Sequence, residues 1–197
     1  MAEVAEIHDI LLFWFGDANT EESHYEQRRK LWFRKQDETD DGIRQRFLST
    51  YDQATSGALD GWATTPEGAL ALILVLDQFP RNMFRDTAQA FATDAKALAI
   101  AKQAISQGFD QQLAPIQRIF LYLPLEHSED VQDQFQSVVL FRTLHQAAPE
   151  LTDVYDYALR HREVIAQFGR FPHRNRILGR TSTPEEIEFL KQPGSSF

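Results

Sequence analysis

The sequence predicts an all-α protein, and three observations support this prediction. Apolar residues recur every three to four positions over almost the whole chain, which is the spacing of one helix face. Alternating segments rich in Val, Ile and Thr, which would indicate strands, are nearly missing. Glycine and proline stand where helices would end or begin. With 197 residues, 43% hydrophobic and 25% charged, we expect one helical domain over 1–197.

The first three helices follow from apolar stripes and end signals. Residues 3–15 form the first predicted helix, and Gly16 supplies the glycine that ends it. A second helix is predicted over about 21–35. A third begins near Asp40, because apolar residues recur at helical spacing from Ile43 onward.

The fourth helix has the clearest start and the most apolar body. Thr65 suits the cap and Pro66 suits the first turn, where a missing N–H costs nothing. Residues 69–76 are apolar around the full circumference, so this helix is expected to be central. It is predicted to end where the phrase Phe79-Pro80-Arg81-Asn82 begins.

Proline and glycine also delimit the helices of the second half. The predicted helices cover 87–107 up to Gly108, 115–123 with a kink or restart at Pro124 and a run to about 147, and 151–168 up to Gly169. An irregular, arginine-rich segment is predicted over 170–180. The last helix begins at Thr183, which forms a capping box with Glu186.

Charge and composition disfavour several classes of partner and site. The net charge of −9 and the pI near 5.1 argue against duplex DNA or an anionic membrane as partner. No cysteine occurs, which excludes disulfides, thiol nucleophiles and thiolate zinc sites. The apolar runs are shorter than the ~20 residues that cross a bilayer, and the acidic start does not resemble a secretory signal. We therefore expect a cytoplasmic protein, and no cofactor is predicted.

A short phrase occurs twice, as Phe79-Pro80-Arg81-Asn82 and as Phe171-Pro172-His173-Arg174-Asn175. Each copy follows a predicted apolar helix and precedes another arginine, Arg85 or Arg180. The C-terminal end of a helix carries partial negative charge and unpaired carbonyls, so cations and turn-forming side chains suit it. We predict that the two corners face one site.

Asp77 is the acid that the sequence places at the end of the most buried helix. Both burial and the helix dipole disfavour its charge there, so a cationic partner is expected. Arg81 is four residues on, and the other corner arginines could also reach it. Two interpretations stay open: a buried ion pair that fixes a helix turn, and an arginine cluster that receives a carboxylate or phosphate.

The densest ionisable stretch is Glu126-His127-Ser128-Glu129-Asp130. Residues three and four apart share a helix face, so these side chains could pair or hold a metal. Compensation of the helix dipole explains most of the acids, so no metal site is predicted. If His161 and His173 converge with His127 and Asp130, general acid–base chemistry becomes accessible.

Several phrases together resemble one bacterial family, the domain of unknown function 924 family. They are Trp14-Phe15-Gly16, the stretches 76–82, 121–130 and 168–175, and Ser182-Thr183-Pro184-Glu185-Glu186. The resemblance covers nearly the whole chain. It implies a tetratricopeptide-like right-handed helical array, with an irregular multi-helix bundle as the alternative fold. It implies no activity, and no catalytic residues carry over from it.

The leading functional hypothesis is a binding protein for a small anionic metabolite or an acidic peptide end. Its polar pocket would be lined by arginine and histidine side chains, because guanidinium groups match carboxylates and phosphates. The predicted pocket residues are Asp77, Arg81, Asn82, Arg85, Glu126, His127, Glu129, Asp130, His161, His173, Arg174, Asn175 and Arg180. The oligomeric state is left open.

Two other hypotheses stay open beside it. One is a hydrolase or lyase in which His127 or His173 acts as base. In that enzyme Glu126, Glu129 or Asp130 orients the histidine, and an arginine stabilises negative charge. The other is a scaffold whose polar clusters only lock the helices together.

Overall fold

The residues that the structure describes, 4–17, 25–33, 35–151 and 153–195, form helices joined by turns in a computed structural model of the chain. No strand occurs within these ranges, so the all-α prediction is confirmed. The α-helices are α1 (Ile7–Phe15), α2 (Tyr25–Phe33), α3 (Asp37–Ser56), α4 (Pro66–Ile73), α5 (Phe79–Met83), α6 (Asp94–Ser106), α7 (Pro115–Glu126), α8 (Val131–Ala147), α9 (Val154–Phe168) and α10 (Pro184–Phe189). Short 3-10 helices cover Asp60–Thr64, Ala88–Phe91, Asp110–Gln112 and Pro172–Arg174.

Helix α1 ends at Phe15 as predicted but begins at Ile7, later than the predicted start at residue 3, because residues 4–6 are not helical. Gly16 follows α1 with a φ of 77°, and its N–H donates to the Leu12 carbonyl at 2.9 Å. The start of α3 is earlier than predicted, at Asp37 rather than near Asp40. Acidic side chains in this first turn face the positive end of the helix dipole, which favours the longer helix. The predicted helix positions 3, 21–24, 34 and 152 lie outside the described residues.

The central helix does not stop at the first Phe-Pro phrase, which corrects the prediction. α4 continues without a break through a π-helical turn (Leu74–Gln78, called the π turn below) into α5. Asp77 therefore lies inside a continuous helix and not at its C-terminal end. Residues 68–80 are all buried, and α1, α6 and α7 pack against α4. The predicted central position of this helix is confirmed.

Pro80 accounts for the π turn. Because proline has no N–H, it cannot donate to the carbonyl of Leu76, four residues earlier. The hydroxyl of Thr93 donates to this carbonyl instead. The N–H of Phe79 donates to the carbonyl of Leu74, five residues back, which widens the helix locally. The helix thus passes through the proline because the turn widens and a side chain replaces the lost donor.

The helix predicted over 87–107 is broken, and its α-helical part begins later. A 3-10 helix over Ala88–Phe91 is followed by α6, which begins at Asp94. Thr93 precedes α6 in a non-helical conformation, with φ −107° and ψ 3°, while its hydroxyl reaches the central helix. The tertiary hydrogen bond at Thr93 therefore sets where α6 begins.

The break expected at Pro124 occurs a few residues later. α7 runs through Pro124 and ends at Glu126, which places His127 at its C-cap. Asp130 then caps α8, and its carboxylate accepts from the N–H groups of Gln132 and Asp133 at 2.7 and 3.2 Å. These N–H groups have no acceptor within the helix, which explains why an acid precedes α8.

The C-terminal segment matches the sequence prediction in its caps. Gly169 ends α9 with a φ of 68°. Thr183 and Glu186 form the predicted capping box, with hydrogen bonds of 3.2 and 2.8 Å between side chains and N–H groups. The segment 170–180, predicted as irregular, contains the 3-10 helix Pro172–Arg174.

The helices pack mainly against neighbours in the chain, as α7 does against α8 and α8 against α9. This packing agrees with a helical array, and the tetratricopeptide-like form of that array stays a prediction. Trp14 lies at the centre of the aromatic core, with ring centroids 5.5 Å from Phe120 and 5.6 Å from Phe79. Within the described ranges, none of the helices combines the length and the apolar character needed to cross a bilayer.

The replacement Thr93→Val tests the role of Thr93 at the π turn. It keeps the side-chain shape but leaves the buried Leu76 carbonyl without its donor, so we expect a loss of about 1–3 kcal/mol of unfolding free energy. Thermal or urea unfolding measures this loss. Thr55→Val is the control, because the Thr55 hydroxyl donates only to the exposed Asp52 carbonyl. Equal losses in the two variants would contradict this role.

Candidate functional site

A cavity of about 700 Å³ lies between the π turn and the helices α2, α5, α7 and α9. Its volume lies in the range of small-molecule sites. Apolar rings and aliphatic groups form part of the wall, and charged groups converge on it from several elements. The basic, acidic and histidine residues of the lining are Arg29, Lys35, Arg81, Arg85, Asp86, Glu126, His127, Asp153, His161, His173, Arg174 and Arg176.

Asp77 is the buried anion behind this cavity. Its side chain is 0% exposed and its carboxylate accepts from Gln78 Nε2 at 2.6 Å and from His127 Nδ1 at 2.8 Å. Arg81 Nη1 lies 3.3 Å away. Burial would raise the pKa of Asp77, but Arg81 and His127 outweigh it and hold the pKa below its ordinary value. The expected cationic partner of Asp77 is confirmed as Arg81.

Arg81 is matched by acids on two sides. Besides Asp77, its two Nη atoms bind both carboxylate oxygens of Asp94 at 2.9 and 3.0 Å. Asp94 begins α6, so this bidentate pair ties the central helix to α6. No sequence signal pointed to this pair, because an acid in a first helix turn is ordinarily explained by the dipole.

His127 presents one nitrogen to Asp77 and the other to the cavity. Because Asp77 is ionised and only accepts, Nδ1 carries the proton of this hydrogen bond. Burial, followed by the charge of Arg81, lowers the pKa of His127 below its ordinary value. The ring is therefore neutral at pH 7 with a lone pair on Nε2, and the described residues place no hydrogen-bond donor on that atom.

Glu126 and His161 form a second pair beside the first. Glu126 Oε1 lies 3.0 Å from His161 Nδ1, which also donates to the Tyr157 carbonyl at 2.9 Å. Burial and the nearby charge of Asp77 raise the pKa of Glu126 to about 8. Burial lowers the pKa of His161 to about 3. Both groups are thus neutral near pH 7, and the carboxyl of Glu126 keeps its proton.

Arg174 is a buried cavity arginine whose donors are only partly matched. It is 7% exposed, and its guanidinium lies 4.5 Å from the Phe171 ring centre and 4.9 Å from that of Phe91. Nη1 donates to the His127 carbonyl at 3.0 Å, and Asp94 is 3.6 Å away. Burial and the charge of Arg81 lower the pKa of Arg174 to about 10. Nε and Nη2 have no acceptor among the described residues.

The two Phe-Pro corners do meet, as predicted. Arg81 of the first corner and Arg174 of the second both face Asp94, and both lie against the Phe91 ring. Of the predicted pocket residues, those that line the cavity are Arg81, Arg85, Glu126, His127, His161, His173 and Arg174, with Asp77 directly behind them.

The other predicted pocket residues point elsewhere. Asn82 binds Asp40 at 2.8 Å, and Asp40 also holds Arg85 through two hydrogen bonds of 2.8 Å. This acid fastens α5 to α3 and lies away from the lining. Asp130 is the α8 cap described above.

Glu129, Asn175 and Arg180 form a separate network between α8 and α10. Arg180 binds Glu129 at 2.7 and 3.0 Å, and Glu129 also accepts from the Phe171 N–H at 2.8 Å. Asn175 donates to Glu186 at 3.0 Å. These contacts hold the second corner in place without lining the cavity.

One expectation about the histidine is wrong. Glu126, Glu129 and Asp130 do not orient His127; Asp77 does, from a different helix. Sequence spacing linked His127 to its own stretch because Asp130 lies three residues after it, on the same face of a helix. The chain reverses after α7, however, and turns the ring towards the central helix.

The comparisons with known proteins identify a family. Residues 10–194 match the family described as bacterial protein of unknown function (DUF924), and the chain belongs to that family. A solved structure of a protein of unknown function from Agrobacterium tumefaciens is 39% identical, with a TM-score of 0.80. The match covers 94% of this chain and 96% of that one. No curated protein matches the chain.

Glu126→Gln tests the buried neutral carboxyl. The folded protein holds a proton on Glu126 that the unfolded chain releases above its ordinary pKa of 4.5, so wild-type stability falls as the pH rises from there to about 8. At pH 7 this penalty is at most about 3–4 kcal/mol. We expect the variant to gain stability over the wild type above pH 4.5, with the gain growing up to pH 8. Thermal unfolding from pH 4.5 to 8.5 measures it.

Glu188→Gln is the matched control, because the Glu188 side chain is 71% exposed. It should change stability little at any pH in this range. A Glu126→Gln gain of the same size at pH 4.5 and pH 8 would contradict the assignment, and so would a loss of stability at pH 8.

Proposed function

We propose that this member of the DUF924 family binds a small anionic molecule in the cavity, with Arg174 as its main contact. The observation that carries the proposal is the Nε and Nη2 side of the Arg174 guanidinium, which has no acceptor among the described residues. The side chain is also buried. A buried cation with unmatched donors is costly to the fold, and a bound anion would relieve that cost.

Two other arginines of the chain show what this side of a guanidinium binds. Arg85 uses Nε and Nη2 to hold both oxygens of Asp40 at 2.8 Å. Arg170 uses the same atoms to hold both oxygens of Glu186 at 2.7 and 2.9 Å. A carboxylate or phosphate on Arg174 would reproduce this bidentate geometry.

The surroundings of Arg174 strengthen its attraction for an anion. The rings of Phe91 and Phe171 flank the guanidinium, and charges interact more strongly in such an apolar environment. Cationic side chains also outnumber ionised acids around the cavity, although the whole chain carries a net charge of −9. The proton held on Glu126 removes one negative charge from the lining.

The size of the cavity favours a metabolite over an acidic peptide end. A volume of about 700 Å³ suits a small molecule, whereas a peptide needs an extended groove. A pure scaffold is less well supported, because its polar clusters should match one another, and Arg174 Nε and Glu126 Oε2 have no such match within the described ranges. The cytoplasmic location expected from the sequence stays a prediction.

Anion titrations of wild type and Arg174→Gln test the proposal. We expect phosphate, succinate or citrate to raise the melting temperature of the wild type, and calorimetry to give a Kd at least ~10-fold weaker for the variant, since a charged bidentate contact contributes about 1.5–3 kcal/mol. Circular dichroism checks that the variant is folded.

Arg118→Gln serves as the control, because Arg118 donates to the Leu113 carbonyl and lies outside the cavity lining. Its affinity for the same anions should equal that of the wild type. The proposal fails if none of the three anions binds the wild type, or if both variants lose affinity equally.

A further inference from the structure

We propose that the cavity is an acid–base active site in which His127 Nε2 takes a proton from carbon in a small oxo acid and the carboxyl of Glu126 supplies a proton to its carbonyl oxygen. The inference rests on the proposed function, because Arg174 would hold the carboxylate of that substrate. It goes further by naming a reaction, two catalytic residues and a substrate class.

The base is built as an acid–imidazole pair. Asp77 Oδ1 lies 2.8 Å from His127 Nδ1, which fixes the tautomer and leaves the lone pair on Nε2. Gln78 and Arg81 bind the same carboxylate and hold it in place. The His127 side chain is 13% exposed and lines the cavity, so a ligand can reach it. Asp77 is a positioning residue that also stabilises the imidazolium when His127 takes a proton.

The acid is the neighbouring side chain. Glu126 is 3% exposed and lines the same cavity as His127. His161 Nδ1, at 3.0 Å, holds Oε1, while Oε2 has no partner among the described residues. Burial and the fixed charge of Asp77 both favour the neutral carboxyl, which can donate a hydrogen bond and a proton. His127 can thus accept a proton while Glu126 donates one, as general acid–base catalysis requires.

In the part of the chain that the structure describes, the lining lacks the side chains that most acyl-transfer enzymes use as nucleophiles. Within the described residues, the cavity wall contains no Ser, Thr or Cys, so it offers no hydroxyl or thiol nucleophile of these types beside His127. A reaction that needs only a base, an acid and an anion anchor fits the groups that are present.

The step balances without any further reactant. The C–H bond next to the substrate carbonyl breaks, its proton goes to His127 Nε2, and its electron pair forms the new C=C bond. The C=O π pair moves to oxygen, which takes the proton of Glu126. The products are an enol, an imidazolium beside Asp77 and a Glu126 carboxylate, and the reverse transfers restore the starting protonation states. This enolisation is the opening step of many isomerisations and eliminations.

Deuterium exchange in D₂O tests the inference with pyruvate, 2-oxobutyrate and 2-oxoglutarate as probes. Proton NMR follows the loss of the C3 hydrogens. We expect the wild type to accelerate exchange of at least one acid, and His127→Gln and Glu126→Gln to lose at least ~100-fold of that acceleration. His145→Gln is the control and should exchange like the wild type, because His145 stacks on Tyr155 outside the cavity lining.

Asp77→Asn tests the positioning role separately. Long-range proton–nitrogen NMR of the His127 ring should show Nδ1–H in the wild type, and a shifted tautomer balance together with slower exchange in the variant. A mere effect on folding would lower the melting temperature without changing the tautomer.

The outcomes separate the two proposals. Binding of an oxo acid that depends on Arg174, with no exchange above the uncatalysed rate for all three acids, overturns the active site and leaves the binding function standing. Loss of both binding and exchange overturns both. Exchange that survives in His127→Gln overturns the assignment of the base.

Discussion

The arrangement of the site depends on one enclosed charge, the ionised carboxylate of Asp77. It lies in the middle of the most buried helix, where an unpaired charge would be prohibitive. Three side chains bind it, and each belongs to a different part of the framework. Gln78 is its neighbour in the π turn, Arg81 ties α5 to α6, and His127 ends α7. The orientation of these elements around the cavity therefore follows from satisfying a single anion.

The charge of Asp77 also sets the protonation of its neighbours. It gives Nδ1 of His127 an acceptor, so Nε2 keeps the lone pair. Burial is the larger reason that the pKa of Glu126 is raised, and the charge of Asp77 adds to it, so the Glu126 carboxyl stays protonated. The buried carboxylate thus has two consequences. It forms the ion pair with Arg81 that holds helices together, and it favours a proton acceptor on His127 beside a proton donor on Glu126. The structural and the functional interpretations of Asp77 do not compete.

Much of the fold follows from local sequence signals, whereas the site depends on distant contacts. Thr65, Gly169 and the Thr183 capping box predicted helix boundaries correctly, because caps are determined by neighbouring residues. The helix ends predicted at Pro80 and Pro124 were wrong, because proline ordinarily breaks a helix. Here the π turn and the Thr93 hydrogen bond accommodate Pro80 within the helix.

The convergence of the two arginine corners was predicted from the repeated phrase. The contact of Arg81 with Asp94 was not predicted, because an acid in a first helix turn is ordinarily explained by the dipole. The contact of Asp77 with His127 was not predicted, because 50 residues separate the two.

The ionisation of Asp77 in the folded protein is the quantity whose measurement bears most directly on this site. The carboxyl carbon shift in ¹³C NMR, assigned with Asp77→Asn, reports the charge of this group as the pH is lowered while the protein stays folded. We predict that the carboxylate stays ionised at pH 4 and titrates below its ordinary pKa of 3.8. A titration midpoint at or above that value would contradict the central role of this anion, because a neutral Asp77 would neither need Arg81 nor fix the proton on His127.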